Sequence, residues 1–203
     1  MVGPIAATVM TRKERHSHRF EPSGDFLQRL EGPQRKEAIP SEEIVKRMGI
    51  SKKDIVVDLG AGIGYFTFPI AELAKTVIAV DIEPKMIEIL ELRAAERRLA
   101  KVKILRAEIT AIPVESESVD HVLAAFVYHE VSSQKEFVRE CARVLVPSGR
   151  LTVVDFQKRE TAFGPPVQER KTPEHVETTA AKWFSRLSRF ETDTYYQLMF
   201  EKK

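Results

Sequence analysis

One cysteine, Cys141, is all the thiol chemistry in this chain of 203 residues. It excludes an internal disulfide and any multi-thiol site, and it suits a reducing compartment. No apolar run approaches the roughly 20 residues that cross a bilayer, so no membrane span is expected. Met1–Met10 runs directly into Thr11-Arg12-Lys13-Glu14-Arg15-His16, which leaves no signal-peptide core. Charge of either sign is barely in excess: 32 Lys and Arg against 30 Asp and Glu give a net +2. That balance makes no case for nucleic acid or a membrane surface as partner. Asparagine is absent while Glu, Lys and Arg abound, a composition that leans towards a thermophilic source. What is present, 43% hydrophobic and 31% charged residues, is enough at this length for one globular domain with a true core. The expected location is cytoplasmic.

Residues 1–20 are polar and basic without a sustained period, and a flexible tail is expected there. Residues 21–52 read as a helical leader or lid punctuated by Pro22, Pro33 and Pro40, with 53–203 as the core of the same domain. Ser41 is placed as the cap of a leader helix that carries Ile44, Val45 and Met48 on its apolar face. Beyond it, strands and helices alternate. Short β-branched or apolar runs predict strands over 55–59, 76–81, 102–107, 119–126 and 150–156. Helical spacing predicts helices over 64–74, from Pro84 onward, over 132–145 with a stop at Pro147-Ser148-Gly149, and over 173–182. Such alternation implies a mainly parallel sheet with helices on both faces. Strands expected over 184–190 and 195–201 straddle four residues and must pair antiparallel as a hairpin.

In a sheet of this kind ligands gather at the carboxyl ends of the strands. The first strand delivers Asp58 there, followed by Gly60, Gly62 and Gly64. A strand, a glycine turn and a helix let backbone approach a nucleotide closely. The spacing is Asp-x-Gly-x-Gly-x-Gly, and Tyr65 occupies the third glycine position of the dinucleotide fingerprint. A carboxylate at Asp58 would repel a pyrophosphate and welcome a ligand with positive charge. Asp81 ends the second strand, placed to accept both hydroxyls of a ribose. Glu108-Ile109 ends the third strand, Phe126-Val127-Tyr128-His129-Glu130 the fourth, and Asp155 the fifth. Carboxylates at four successive strand tips are not a requirement of folding.

These residues resemble the motifs of class I S-adenosylmethionine-dependent methyltransferases, small single-domain type, across most of residues 40–203. Asp58–Gly64 is similar to the family's first motif, and Val80–Met86 to its second-strand motif. Ala107–Ile109 through Pro113 to Asp120, and Arg143–Leu151, follow the later segments in order and spacing. The resemblance implies a Rossmann-like, doubly wound α/β fold with seven strands in the order 3-2-1-4-5-7-6. It implies S-adenosylmethionine as methyl donor and S-adenosylhomocysteine as product. Gly60, Ala61, Gly62, Gly64 and Phe126 would line the donor, and Asp58 would face its amino-acid end. Asp81 would hold the ribose, Ile82 and Ile109 would sandwich the adenine, and Glu108 would accept from its amino group. Two departures stand out: the family more often has Asp at the position of Glu108 and Gly at that of Ser148.

For the methyl acceptor the candidates are His129 and Glu130, with Tyr128 beside them in sequence, and Asp155 at the tip of the fifth strand is a further one. A general base is needed only if the acceptor is protonated at working pH. A loop start and helix cap is the competing reading of His129 and Glu130. His16 and His18 sit two apart in the tail, so no metal site is expected; His121 is expected to be a satisfied structural residue and Cys141 to serve packing. The fourth strand lacks the Asn/Asp-Pro-Pro-Tyr tetrapeptide that grips the planar amino groups of bases. A small-molecule acceptor, walled by Phe20, Phe163 and Pro165, is therefore favoured. The alternatives are an RNA or protein acceptor, or a non-catalytic protein that binds the donor.

Overall fold

The computed structural model describes residues 30–203. The expected tail over 1–20, including His16, His18 and Phe20, and the first part of the leader lie outside the described residues. In order, the elements are α1 (Pro33–Ala38), α2 (Ser41–Arg47), β1 (Ile55–Leu59), α3 (Thr67–Leu73), β2 (Thr76–Asp81), α4 (Pro84–Glu96) and β3 (Val102–Arg106). Then follow β4 (Val119–Ala125), a 3-10 turn (Tyr128–Glu130), α5 (Gln134–Val144), β5 (Leu145–Phe156), α6 (Pro173–Ala180), β6 (Phe184–Glu191) and β7 (Tyr195–Lys202). The seven strands form one sheet in the order β3-β2-β1-β4-β5-β7-β6, as the motif order implies. β1 is central, parallel to β2 and to β4, with Leu59 facing Val80 on one side and Ala124 on the other. β7 runs antiparallel to both β5 and β6, which closes the expected hairpin.

Strand periodicity sorts β1 between two hydrophobic layers. Val57 and Leu59 enter a core shared with Val122, Val153, Leu198 and the inner faces of α5 and α6. Val56 points the other way, into a core with Ile44, Val45, Ile70, Ala71, Leu123 and Val154. Asp58 has the parity of Val56, so it emerges on the side of α3, at the end of the strand. Cys141 is fully buried on α5, where burial pushes its thiol pKa up, in keeping with packing. Among the described residues no helix is long and apolar enough to cross a membrane.

Four local expectations change. Helix α3 starts at Thr67 rather than residue 64 because Gly64 has φ +89, outside any helix. Ser41 is the first helical residue of α2 and Pro40 its cap position, with no side-chain capping bond. α5 is stopped not at Pro147 but at Val144: Leu145 already pairs with Val119, so β5 begins there. Pro147-Ser148-Gly149 lies within β5 as an irregular segment, and Ser148 carries φ +61. His121 is only half satisfied; its Nε2 lies 3.1 Å from Asp54 Oδ2, while the buried Nδ1 has no partner among the described residues.

Candidate active site

The turn after β1 uses its own backbone donors internally. The amides of Gly60 and Ala61 both donate to the Val80 carbonyl, at 2.8 and 3.0 Å. The Gly64 amide donates to the Ala61 carbonyl at 2.9 Å, and the Gly62 amide donates to Asp81 Oδ2 at 2.8 Å. A phosphate-binding turn keeps such N–H groups free for the anion. Here these four are taken, and the side chains at the strand tips are carboxylates. This is a poor cradle for a pyrophosphate.

The three glycines have positive φ, but for different reasons. A Cβ on Gly60 would sit 2.8 Å from Val127, and one on Gly64 would overlap the Phe68 ring and lie 2.8 Å from Leu90. Those two are required by the protein's own packing. At Gly62 a Cβ would meet nothing nearer than the Gly60 carbonyl at 4.0 Å. The open space over Gly62 is where a ligand can approach the backbone.

Asp81 Oδ1 accepts from the Glu83 amide at 2.9 Å and Oδ2 from Gly62, which fixes the carboxylate and leaves each oxygen a further lone pair. The residue after it, Ile82, is 50% exposed, an apolar side chain left uncovered beside a polar anchor. Ile109 is half-buried against the core and Glu108 is exposed at the tip of β3. The set fits a nucleoside: two acceptor positions for hydroxyls, apolar walls for a planar base, and a carboxylate for an exocyclic amine. Ala61 is buried, and Phe126 is half-buried at the end of β4 with φ +58.

Asp58 is 2% exposed and accepts from the Thr67 hydroxyl at 2.6 Å. Burial pushes its pKa up to about 7; the Thr67 bond opposes this and the nearby charge of Asp81 adds to it. A carboxylate held at such cost is primed for a cation.

At the carboxyl ends of β4 and β5, His129 and Asp155 form a pair. His129 Nδ1 lies 2.7 Å from Asp155 Oδ1, and the His129 amide donates to Asp155 Oδ2 at 3.0 Å. The Phe156 amide also donates to Asp155 Oδ1, at 2.8 Å. Asp155 is fully buried and the His129 side chain 5% exposed. With the carboxylate on Nδ1, the imidazole is oriented and Nε2 is left facing Glu130 Oε1 at 3.6 Å. Burial works against the imidazolium, but the hydrogen bond and charge of Asp155 outweigh it, so the His129 pKa stands above the ordinary histidine value. Asp155 cannot touch an acceptor; it positions His129. Tyr128 is turned into the core against Phe137, with a ring separation of 5.7 Å.

Aromatic rings join the two ends. Phe126 packs on Phe156 at 4.6 Å, and Phe156 lies 6.2 Å from the His129 ring and 6.1 Å from Phe163. The loop carrying Phe163 is pinned by buried Arg170, which donates to the carbonyls of Pro165, Gln157 and Arg159 at 2.7–3.0 Å. Sequence reasoning did not single out Arg35, on α1, whose guanidinium lies over Tyr65 and Phe126. Gly32-Pro33, a proline at the first helical position, was the signal for that helix.

Residues 57–153 match a family described as a methyltransferase domain. An uncharacterized methyltransferase-like protein of Schizosaccharomyces pombe is 39% identical over 106 residues, 52% of this chain and 39% of that protein. The demethylmenaquinone methyltransferase of Tropheryma whipplei is 33% identical over 113 residues, 55% of this chain and 45% of that one. The chain thus spans less than half the length of these two relatives. A crystal structure described as a SAM dependent methyltransferase from Aquifex aeolicus superposes with a TM-score of 0.82 at 24% identity, over 91% of this chain and 100% of that one.

Proposed function

We propose that this chain is a class I S-adenosylmethionine-dependent methyltransferase, on the match of residues 57–153 to a methyltransferase domain and the fold it shares with such an enzyme, and that it moves a methyl group from that donor to a small-molecule acceptor whose proton is taken by His129. The observation that carries the donor half is the turn after β1: four consumed amides, open space only over Gly62, and carboxylates at Asp58 and Asp81.

When bound, S-adenosylmethionine supplies a methyl group activated by a positively charged sulfur. Asp81 would accept the two ribose hydroxyls through the lone pairs its backbone partners leave free, in charge-assisted hydrogen bonds. Ile82 and Ile109 would cover the faces of the adenine, and Glu108 would accept from its amino group. Asp58 would meet the ammonium group, and the ionised form, disfavoured by burial alone, would then be restored. Phe126 and Phe156 would keep water from the reacting atoms, which sharpens alignment of nucleophile and methyl. His129 would take the acceptor's proton on Nε2, with Asp155 holding the ring and supporting the positive charge it acquires.

Calorimetric titration with S-adenosylhomocysteine and with NAD separates this reading from a dinucleotide enzyme. Binding of the first and not the second is expected, and Asp81→Ala should weaken it by about 1.5–3 kcal/mol, the scale of hydrogen bonds to a charged group. Binding of NAD with no response to S-adenosylhomocysteine would overturn the reading. Labelled-methyl transfer screened against metabolite, RNA and protein fractions then tests the acceptor class.

A further inference from the structure

Several buried or half-buried guanidinium groups in this fold are well matched. Arg93 meets Glu31 through two bonds of 2.8 and 2.7 Å, and Arg143 meets Glu140 likewise. Arg170 is saturated by loop carbonyls. Arg35 is not matched in this way. Its guanidinium carbon lies 5.1 Å from the centre of the Phe126 ring and 5.5 Å from that of Tyr65. Among the described residues its buried Nε has no hydrogen-bond partner and no carboxylate pairs with it, while the side chain as a whole is half-buried.

Two rings attract a cation, but they satisfy none of its five N–H donors. Leaving a buried guanidinium N–H without an acceptor is costly, and folding does not demand it. Nor is Arg35 on a loosely held element. The Tyr65 hydroxyl donates to the Ile39 carbonyl at 2.7 Å, which ties the platform to the end of α1, and Ile39 is fully buried. Tyr65 directly follows Gly64, and Phe126 ends β4. The guanidinium therefore sits over the strand tips, where a ligand belongs, rather than on an outer surface.

We propose that Arg35, stacked on Tyr65 and Phe126, is an anion-recognition residue of this site and binds a carboxylate group of the bound ligand. A planar fork with its face on aromatic rings matches a carboxylate two-prong to two-prong. Resting on the methyl-transfer reading above, this carboxylate has two possible sources. It belongs to the acceptor, which is then an organic acid, or to the amino-acid end of the donor.

The test compares wild type with Arg35→Gln and Arg35→Lys by calorimetry. The probes are S-adenosylhomocysteine, its decarboxylated counterpart, and benzoate added in the presence of each. If the donor supplies the group, Arg35→Gln weakens S-adenosylhomocysteine about tenfold or more and leaves the decarboxylated compound unchanged. If the acceptor supplies it, both nucleosides bind the variant as before, while wild type binds benzoate and Arg35→Gln does not. Arg35→Lys should recover less than half of the effect in either case, because an ammonium lacks the fork. A purely structural role, through the ring contacts alone, would lower the melting temperature and leave every affinity unchanged. Equal affinity of wild type and Arg35→Gln for all three probes, or a loss of melting temperature with no change in binding, overturns the proposal. Failure of wild type to bind either nucleoside overturns the donor reading instead, and benzoate still tests Arg35.

Discussion

Replacing Asp58 by Asn should make the ligand-free protein more stable at neutral and alkaline pH, by an amount that depends on pH in a defined way. The carboxyl is buried, and its pKa is pushed from an ordinary 3.8 up to about 7. Below 3.8 both the folded and unfolded chains carry the proton, and the group contributes nothing. Between 3.8 and 7 the unfolded chain releases the proton while the folded chain keeps it, so the folded state binds more protons and stability falls as pH rises. Above about 7 the penalty is complete, at roughly 4 kcal/mol for a difference of this size. Asn keeps an oxygen for the Thr67 hydroxyl and carries no charge, so the variant escapes the penalty without losing that bond.

Urea denaturation of both proteins at intervals from pH 4 to pH 8.5 reads this directly. The stability difference should be near zero at the acid end, grow across the window, and level off above neutrality. A difference that stays constant with pH would refute the idea that burial of a charge governs this site. Binding should show the opposite preference. Asp58→Asn should weaken S-adenosylhomocysteine, and wild type should release a proton on binding it near pH 6, seen as a dependence of the calorimetric heat on buffer ionisation enthalpy. No released proton would mean that Asp58 does not meet the ligand's ammonium.

Three further outcomes are expected. Ser148→Gly should raise stability by about 0.5–1 kcal/mol in thermal melts, because Ser148 sits at φ +61 where a side chain is strained; Gly149→Ala should lower it, since its Cβ would lie 2.8 Å from the Val146 carbonyl. Gly62→Ala should cost about 1 kcal/mol in stability but abolish most S-adenosylhomocysteine binding, whereas Gly64→Ala should mainly destabilise, its Cβ overlapping Phe68; the opposite ranking in melts and titrations would show that the ligand approaches elsewhere. His129→Gln should lower kcat by about 100-fold or more if it takes the acceptor's proton. In wild type the acid limb of the pH–rate profile should stand above the ordinary histidine value, and Asp155→Asn should move it to lower pH; an unmoved limb would exclude His129 as the titrating base.

Much of this architecture could be read from residue order, because each β-branched run had one buried role to fill. β1 and β2 have the bounds their apolar runs predict, and the order of the sheet follows the order of the motifs. Errors arose where long-range pairing decides the backbone. The start of β5 is set by Leu145 meeting Val119, twenty-six positions away, and outweighs the local stop signal of Pro147 and Gly149. The role of Asp155 was hidden for a similar reason: a residue at a strand tip is visible in sequence, but its bond to His129 Nδ1 depends on the 3-10 turn after β4. Arg35 was missed because its helix has only six residues and no apolar stripe of its own. Its meaning lies wholly in the rings it covers.

The distribution of charge at the strand tips explains why glycine spacing alone could not settle the ligand. A glycine turn offers close approach and, when its amides are free, a positive field. Here Val80, Ala61 and Asp81 take those amides, so the positive field is cancelled within the fold and the carboxylates of Asp58 and Asp81 dominate that end. In the proposal above, Arg35 would supply positive charge to the same strand tips from a different element. On the proposed reading, the bound ligands together would present cationic and hydroxyl groups to β1 and β2 and a carboxylate to α1. Neither a free phosphate nor a neutral nucleoside does so. On that reading the ligand's charge order, rather than the shape of the turn, would be what this chain selects.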